Sequence, residues 1–365
     1  MSGRLPLRPE LVGAVPYGAP QLDVAVRLNT NENPYPPPAE VVASAAEAMH
    51  EVVGRLNRYP DREAAALRAD LAHYLSGDTG VALDATGVWA ANGSNEVMVQ
   101  LLQAFGGPGR TAMAFIPTYS MYPEYARDTF TGWVSGQRAA DFTLSSRDAA
   151  EQVRDHAPDV VFLASPNNPT GTTLPPEVVV AVYEATAGIV VVDEAYGEFR
   201  RAGTPSAVAL LEGRPRLVVT RTMSKAFAFA GARVGYAAAH PDLVDALRVV
   251  RLPYHLSSVT QAVARVALSH ADLLQRDVAR LRESRDALVA WLRGHGFDVP
   301  DSEANFVLVG PFADRRGVWQ GLLERGVLVR EVGPPQWLRV SVGTEDEMDR
   351  FRDVLLAVTE GEATR

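Results

Sequence analysis

Residues 160–165 read VVFLAS and residues 188–196 read GIVVVDEAY, and neither run alternates apolar with polar positions as a half-solvated strand would. Strands that are apolar at nearly every position belong in a parallel sheet covered on both faces. Further strands are predicted at 88–91, 112–116, 217–220 and 234–238, separated by amphipathic helical stretches. That alternation over residues 41–250 winds into a large, doubly wound, mostly parallel α/β domain. After residue 250 the pattern changes. A long helical stretch at 271–294 is followed by ANFVLVG, GVLVREV, WLRVSV and a closing helix near 345–359, which reads as a smaller C-terminal α+β domain over 251–365. Residues 1–40 are left as an N-terminal arm and access loop, with NTNENPYPPP at 29–38 an extended connector because proline excludes the helical region from the residue before it.

A chain of 365 residues suits two domains, and a formal charge of −9 argues against a nucleic-acid partner, which needs a basic face. There is no cysteine, hence no disulfide, thiol nucleophile or thiolate metal site. The seven histidines form no pair with metal-ligand spacing and carboxylate support, so no metal is predicted. Residues 1–20 lack a secretory apolar stretch, and nothing approaches the ~18 apolar residues of a membrane helix. The expected location is the cytoplasm, with no membrane association.

Four segments carry chemistry. In 90–96, AANGSNE, a strand ends, Gly93 permits a tight turn and Ser94 can cap a helix through Val97, Leu101, Ala104 and Phe105. Free N–H groups at a helix start suit a phosphate, although an ordinary capped helix explains the same residues. In 165–171, SPNNPTG, a plain turn explains the composition, but Asn168 also places an amide at a strand's carboxyl end, where open α/β sheets bind ligands. Asp193 ends a buried strand, so its charge needs a partner. That partner is either an arginine, a helix start or a ligand cation such as a pyridinium nitrogen. At about 4 Å and an effective dielectric of about 20, the last is worth about 4 kcal/mol, or ~3 pK units on the ring nitrogen. In 220–235, TRTMSKAFAFAGARVG, Lys225 lies among small and apolar residues that lower a lysine's pKa and favour imine formation, flanked by Thr222, Ser224 and Arg233 as phosphate donors.

In this order the segments resemble the fold-type I aminotransferases. LNTNENPYPP, NRYP, ANGSNE, SPNNPTG, VDEAYGEF, TRTMSKAFAFAGARVGY and LRVSVGT are similar to the histidinol-phosphate aminotransferase family, nearest to its actinobacterial form, almost from end to end.

The resemblance implies pyridoxal 5′-phosphate (PLP) as cofactor. Lys225 holds it as a Schiff base and later shuttles a proton between substrate Cα and the cofactor's C4′. Asp193 pairs with the ring nitrogen, Asn168 and Tyr196 bond the ring O3′, and Tyr119 stacks on the ring. Ser94, Asn95, Thr222, Ser224 and Arg233 surround the phosphate. Tyr59, in NRYP, is supplied to the phosphate of a neighbouring subunit, which makes the protein a homodimer. On the substrate side the resemblance implies Arg339 as the anion grip, with Arg330 either a second phosphate ligand or a residue of an exposed strand. Tyr17 and Tyr254 contact substrate, and Asn31, Glu32 and Asn33 line the access loop. The stretch 331–338, EVGPPQWL, is shorter than its counterpart in some family members.

The implied reaction interconverts L-histidinol phosphate plus 2-oxoglutarate and imidazole-acetol phosphate plus L-glutamate, in histidine biosynthesis. The alternative is an aromatic amino acid (phenylalanine) aminotransferase. A PLP-sensing DNA-binding regulator needs a helix-turn-helix region ahead of the first motifs, which here begin by Tyr17.

Overall fold

The computed structural model describes residues 5–360. Its first elements are β1 (Val26–Arg27), α1 (Ala39–Val53) and α2 (Ala65–Thr79). The large unit continues with β2 (Val88–Ala91), α3 (Ser94–Phe105), β3 (Thr111–Ile116), α4 (Tyr122–Asp128), β4 (Gly132–Gln137), α5 (Ser146–His156), β5 (Val160–Ala164), α6 (Pro176–Ala185), β6 (Ile189–Asp193), β7 (Leu217–Thr222), β8 (Gly235–Ala239) and α7 (Pro241–Val250). Then follow α8 (Ser258–Ser269), α9 (Ala271–Gly294), β9 (Phe306–Val309), α10 (Arg315–Glu324), β10 (Val327–Leu328), β11 (Leu338–Ser341) and α11 (Glu345–Glu360).

The central sheet has seven strands in the order β2-β8-β7-β6-β5-β3-β4. Pairing is parallel from β4 through β7, and β8 runs antiparallel to both β7 and β2. The side chains of β5 show why such strands must be apolar throughout. Val161 and Leu163 enter one core cluster, while Val160, Phe162 and Ala164 enter the other on the opposite face. Every residue of β5, β6 and β7 is buried. Strand β4, GWVSGQ, was not expected from sequence. It is an edge strand with mixed exposure, so it carries neither a continuous apolar run nor clean alternation.

In the C-terminal part, β9 and β11 pair antiparallel, and β10 pairs in parallel with β1 from the N-terminal arm. Residues near the start of the chain are thereby tied to a strand near its end. Among the described residues, no helix is long and apolar enough to cross a membrane.

The carboxyl ends of β2, β3, β5, β6 and β7 lie along one edge of the sheet, and the amino end of β8 lies there too. This is where an open α/β sheet leaves a crevice for a ligand.

Candidate active site

The crevice is lined from the sheet by Ser94, Asn95, Tyr119, Asn168, Asp193, Tyr196, Thr222, Ser224, Lys225 and Arg233, and from the arm and C-terminal unit by Tyr17, Asn31, Arg330 and Arg339. Fourteen of the sixteen residues expected at the site thus meet in one cavity. The two exceptions are Tyr59 and Tyr254, which lie outside it, and of the access-loop residues Asn31 lines the cavity while Glu32 and Asn33 do not. Tyr59 and Tyr254 stack on each other with ring centroids 4.4 Å apart, 79% and 40% exposed respectively.

The turn after β2 differs from expectation in one detail. Ser94 does not cap α3: it is the helix's first residue, Gly93 holds the cap position at φ 82°, and no side chain caps the end. The reason is crowding. A Cβ on Gly93 would lie 2.6 Å from Arg233 Nη2, and one on Gly235 would lie 2.0 Å from Ser94 N. The backbone of this turn is pressed against β8 and Arg233, which leaves the α3 N–H groups uncapped and next to a guanidinium. Arg233 Nη1 also donates to Ser224 Oγ at 3.3 Å, and Thr222 Oγ1 to Ser224 Oγ at 3.0 Å. An uncapped helix start, two hydroxyls and an arginine form a cradle for a phosphate.

Asp193 is buried at the cavity wall, and its partners are all neutral: Tyr122 Oη donates at 2.8 Å, Ala195 N at 3.1 Å and Thr220 Oγ1 at 3.3 Å. The arginine pairing that the sequence left open is not made. Burial pushes the Asp193 carboxyl up, against these three donors that pull it down. A buried carboxylate with no cationic partner suits a cation bound in the cavity. Tyr122 was not anticipated. It sits at the start of a seven-residue helix in an aromatic-rich stretch, and only the tertiary fold brings it to Asp193, 71 positions away.

Lys225 Nζ donates to Thr30 O at 2.9 Å. Burial, with the Arg339 and Arg233 guanidiniums nearby, lowers its pKa to about 8, so a reactive free amine is accessible near neutrality. Arg339 is buried, donating through Nη1 to Asn168 Oδ1 at 2.8 Å and through Nη2 to Asn29 O at 2.6 Å, while its Nε has no partner. Arg330 pairs through its backbone with Arg339 and donates from Nη2 to Gly18 O at 3.1 Å, so it is a cavity residue and not one of an exposed strand. His255 stands behind the site, its Nε2 2.9 Å from Ala90 O and its ring stacked on Trp89. Among the described residues no acidic or histidine cluster could hold a metal ion.

The aminotransferase class I and II family matches residues 24–355. Histidinol-phosphate aminotransferase of Thermobifida fusca (strain YX) is 62% identical over 355 residues, 97% of this chain and 96% of that one. The chain belongs to the histidinol-phosphate aminotransferase family. The Streptomyces avermitilis member is 57% identical over 96% of both chains. The fold is also that of a crystal structure of histidinol-phosphate aminotransferase from Sinorhizobium meliloti in complex with pyridoxal-5′-phosphate, with a TM-score of 0.87 over 99% of each chain at 24% identity.

The family is PLP-dependent, and the residues present fit that cofactor. A buried acid without a cation, an amine of lowered pKa and a hydroxyl–guanidinium cradle line one cavity, matching ring nitrogen, aldehyde and phosphate.

Proposed function

We infer that this chain is a PLP-dependent transaminase interconverting L-histidinol phosphate plus 2-oxoglutarate and imidazole-acetol phosphate plus L-glutamate in histidine biosynthesis. The observation that carries the substrate assignment is the placement of Arg330 and Arg339 on the same cavity as Lys225. A dianionic phosphate at the end of an amine substrate is better neutralised by two guanidiniums than by one. Glutamate would place its α-carboxylate on Arg339, so one anion site serves both substrates.

Bound PLP supplies an electron sink that acidifies the substrate Cα–H and carries the amino group between the two half-reactions. Asp193 would hold the ring nitrogen protonated, Asn168 and Tyr196 would bond the ring O3′, and Tyr119 would cover the ring face. Ser94, Asn95, Thr222, Ser224 and Arg233 would hold the phosphate. Lys225 Nζ, uncharged in useful amount near pH 8, would be the base that takes the proton from substrate Cα and the acid that returns it. Tyr17, whose hydroxyl lies 3.0 Å from Ser120 Oγ at the cavity mouth, is positioned for the substrate side chain.

The active unit is a homodimer with shared sites. The support is the exposed, stacked Tyr59–Tyr254 pair, with Leu252 and Val249 exposed on the same segment and Val42, Met49 and Val53 on the outer face of α1. A second copy would bury these apolar groups and bring Tyr59 and Tyr254 to the partner's cavity. Mixing a Lys225→Ala variant with a Tyr59→Ala variant should then regenerate one intact site per mixed dimer. Activity no greater than the sum of the two parents would contradict shared sites. The same reading places the enzyme in the cytoplasm.

The function is tested by supplying the PLP-loaded protein with L-histidinol phosphate and 2-oxoglutarate. Glutamate and imidazole-acetol phosphate should appear one for one. Loss of the amine without glutamate formation would contradict transamination.

A further inference from the structure

Asn31 lines the cavity, yet its side chain is already committed to the protein. It is 1% exposed and in the left-handed region at φ 54°, which asparagine tolerates better than most residues. Its backbone N–H donates to Ser341 Oγ at 2.9 Å, and Ser341 Oγ in turn donates to Asn31 Oδ1 at 2.8 Å. With Oδ1 identified as the acceptor, the amide has one orientation: Nδ2 points to Tyr196 Oη and donates to it at 3.0 Å. Asn305 Nδ2 donates to Asn31 O at 3.0 Å and fixes the backbone as well.

A second amide is set in the same way. Asn168 Oδ1 accepts from Arg339 Nη1, so Asn168 Nδ2 is the end that faces Tyr196 Oη, at 3.4 Å. Arg339 and Ser341 are two residues apart on β11 and therefore on one face of the strand. One strand thus orients two amides, and both donate to the same phenol oxygen.

A hydroxyl has two acceptor lone pairs and one proton. With both lone pairs of Tyr196 Oη engaged by N–H donors, its proton has to go outward, to an oxygen in the cavity. We propose that Asn31, held by Ser341, is a positioning residue that makes Tyr196 an obligate hydrogen-bond donor to the cofactor's ring oxygen, and that it is not a substrate contact. The inference rests on the PLP reading. Arg339, Asp193 and Tyr17 are the other titratable groups that act on Tyr196. None of them accepts a hydrogen bond from it here, so the two amides set its direction.

The test is the pH titration of the visible absorbance of PLP-loaded protein. A donor to the ring oxygen favours the deprotonated form of the Lys225–cofactor chromophore, so losing the donor moves its titration to higher pH. Asn31→Asp, which keeps the shape and tolerates the backbone angle, presents only acceptors and draws the Tyr196 proton to itself. Its titration should move up by about 1 unit, as far as that of Tyr196→Phe, and the double variant should move no further. Ser341→Ala, which frees the amide to turn over, should give a smaller upward shift. An Asn31→Asp titration equal to wild type, or a shift that adds fully to that of Tyr196→Phe, would overturn the inference. A wild-type protein with no visible band at all would instead overturn the cofactor reading on which it rests.

Discussion

The Tyr122 hydroxyl donates to Asp193 Oδ2 at 2.8 Å, beneath the ring of Tyr119, which meets Tyr122 edge-on. Burial pushes the Asp193 carboxyl up, and this hydrogen bond is the first of the groups that hold it down. Tyr122→Phe should therefore raise the Asp193 pKa by about 0.5–1 unit, equivalent to about 1 kcal/mol. On the proposed role of Asp193 at the ring nitrogen, activity requires the ionised carboxylate, so the acidic limb of the kcat profile should move to higher pH. An unmoved acidic limb would show that Asp193 does not control it.

Lys225 supplies a second pH dependence of known sign. Its pKa is lowered to about 8, so the nucleophilic free amine grows with pH up to that point and saturates above it. Capture of PLP by the cofactor-free protein should accelerate about tenfold per unit below pH 8 and level off beyond. A rate still climbing steeply past pH 9.5 would mean that the amine behaves as an ordinary solvated lysine. Lys225→Ala should bind PLP without the chromophore and lose turnover.

Arg339 and Arg330 separate by half-reaction. Arg339 is buried and on the proposed reading would be shared by both substrates, so Arg339→Ala should slow both half-reactions by about 10²–10³-fold, the cost of an unpaired anion in a buried site. Arg330 would meet only the second charge of the phosphate. Arg330→Ala should raise KM for L-histidinol phosphate at least about tenfold, the ~1.4 kcal/mol or more of one charge-assisted hydrogen bond, and leave glutamate nearly unaffected. Equal damage to both substrates would move Arg330 into the shared anion site.

Behind the site, Arg221 is fully buried between Glu194 (2.9 Å), Asp78 (2.7 Å) and Glu198 (3.5 Å). Removing it would take the nearest cation from two buried carboxylates, leaving Glu194 with Arg200 at 3.6 Å as its remaining ion pair and Glu198 with none in contact. Arg221→Leu should cost about 3–5 kcal/mol of stability, read from chemical denaturation, with the loss eased as pH falls and the carboxylates protonate. A variant as stable as wild type would show that the network is not holding the fold.

Much of this was legible in the chain because local chemistry carries it. β2 and β5 match their expected bounds, since each is a continuous buried run ending in a polar turn. Lys225, Asp193, Asn168 and Arg233 stand in segments that each admit a plain structural reading, and it is their order along the chain that resembles the aminotransferases; the fold brings all four to one cavity. What could not be read depends on tertiary contact. Asn31 and Ser341 meet across 310 residues, and Tyr122 meets Asp193 through the packing of α4 on the sheet. The sequence does not reveal that Gly93 takes the cap position from Ser94, because the crowding of Gly93 by Arg233 and of Gly235 by Ser94 has no local signature. Tyr59 and Tyr254 lie outside the cavity of their own chain.

The substrate assignment is tested most directly by single-turnover absorbance of the PLP-loaded protein, mixed separately with L-histidinol phosphate and with L-phenylalanine. Two guanidiniums at the anion end predict loss of the visible band at least ~100-fold faster with L-histidinol phosphate, about 2.7 kcal/mol of discrimination. Equal or faster loss with L-phenylalanine would contradict it and make the enzyme an aromatic amino acid aminotransferase.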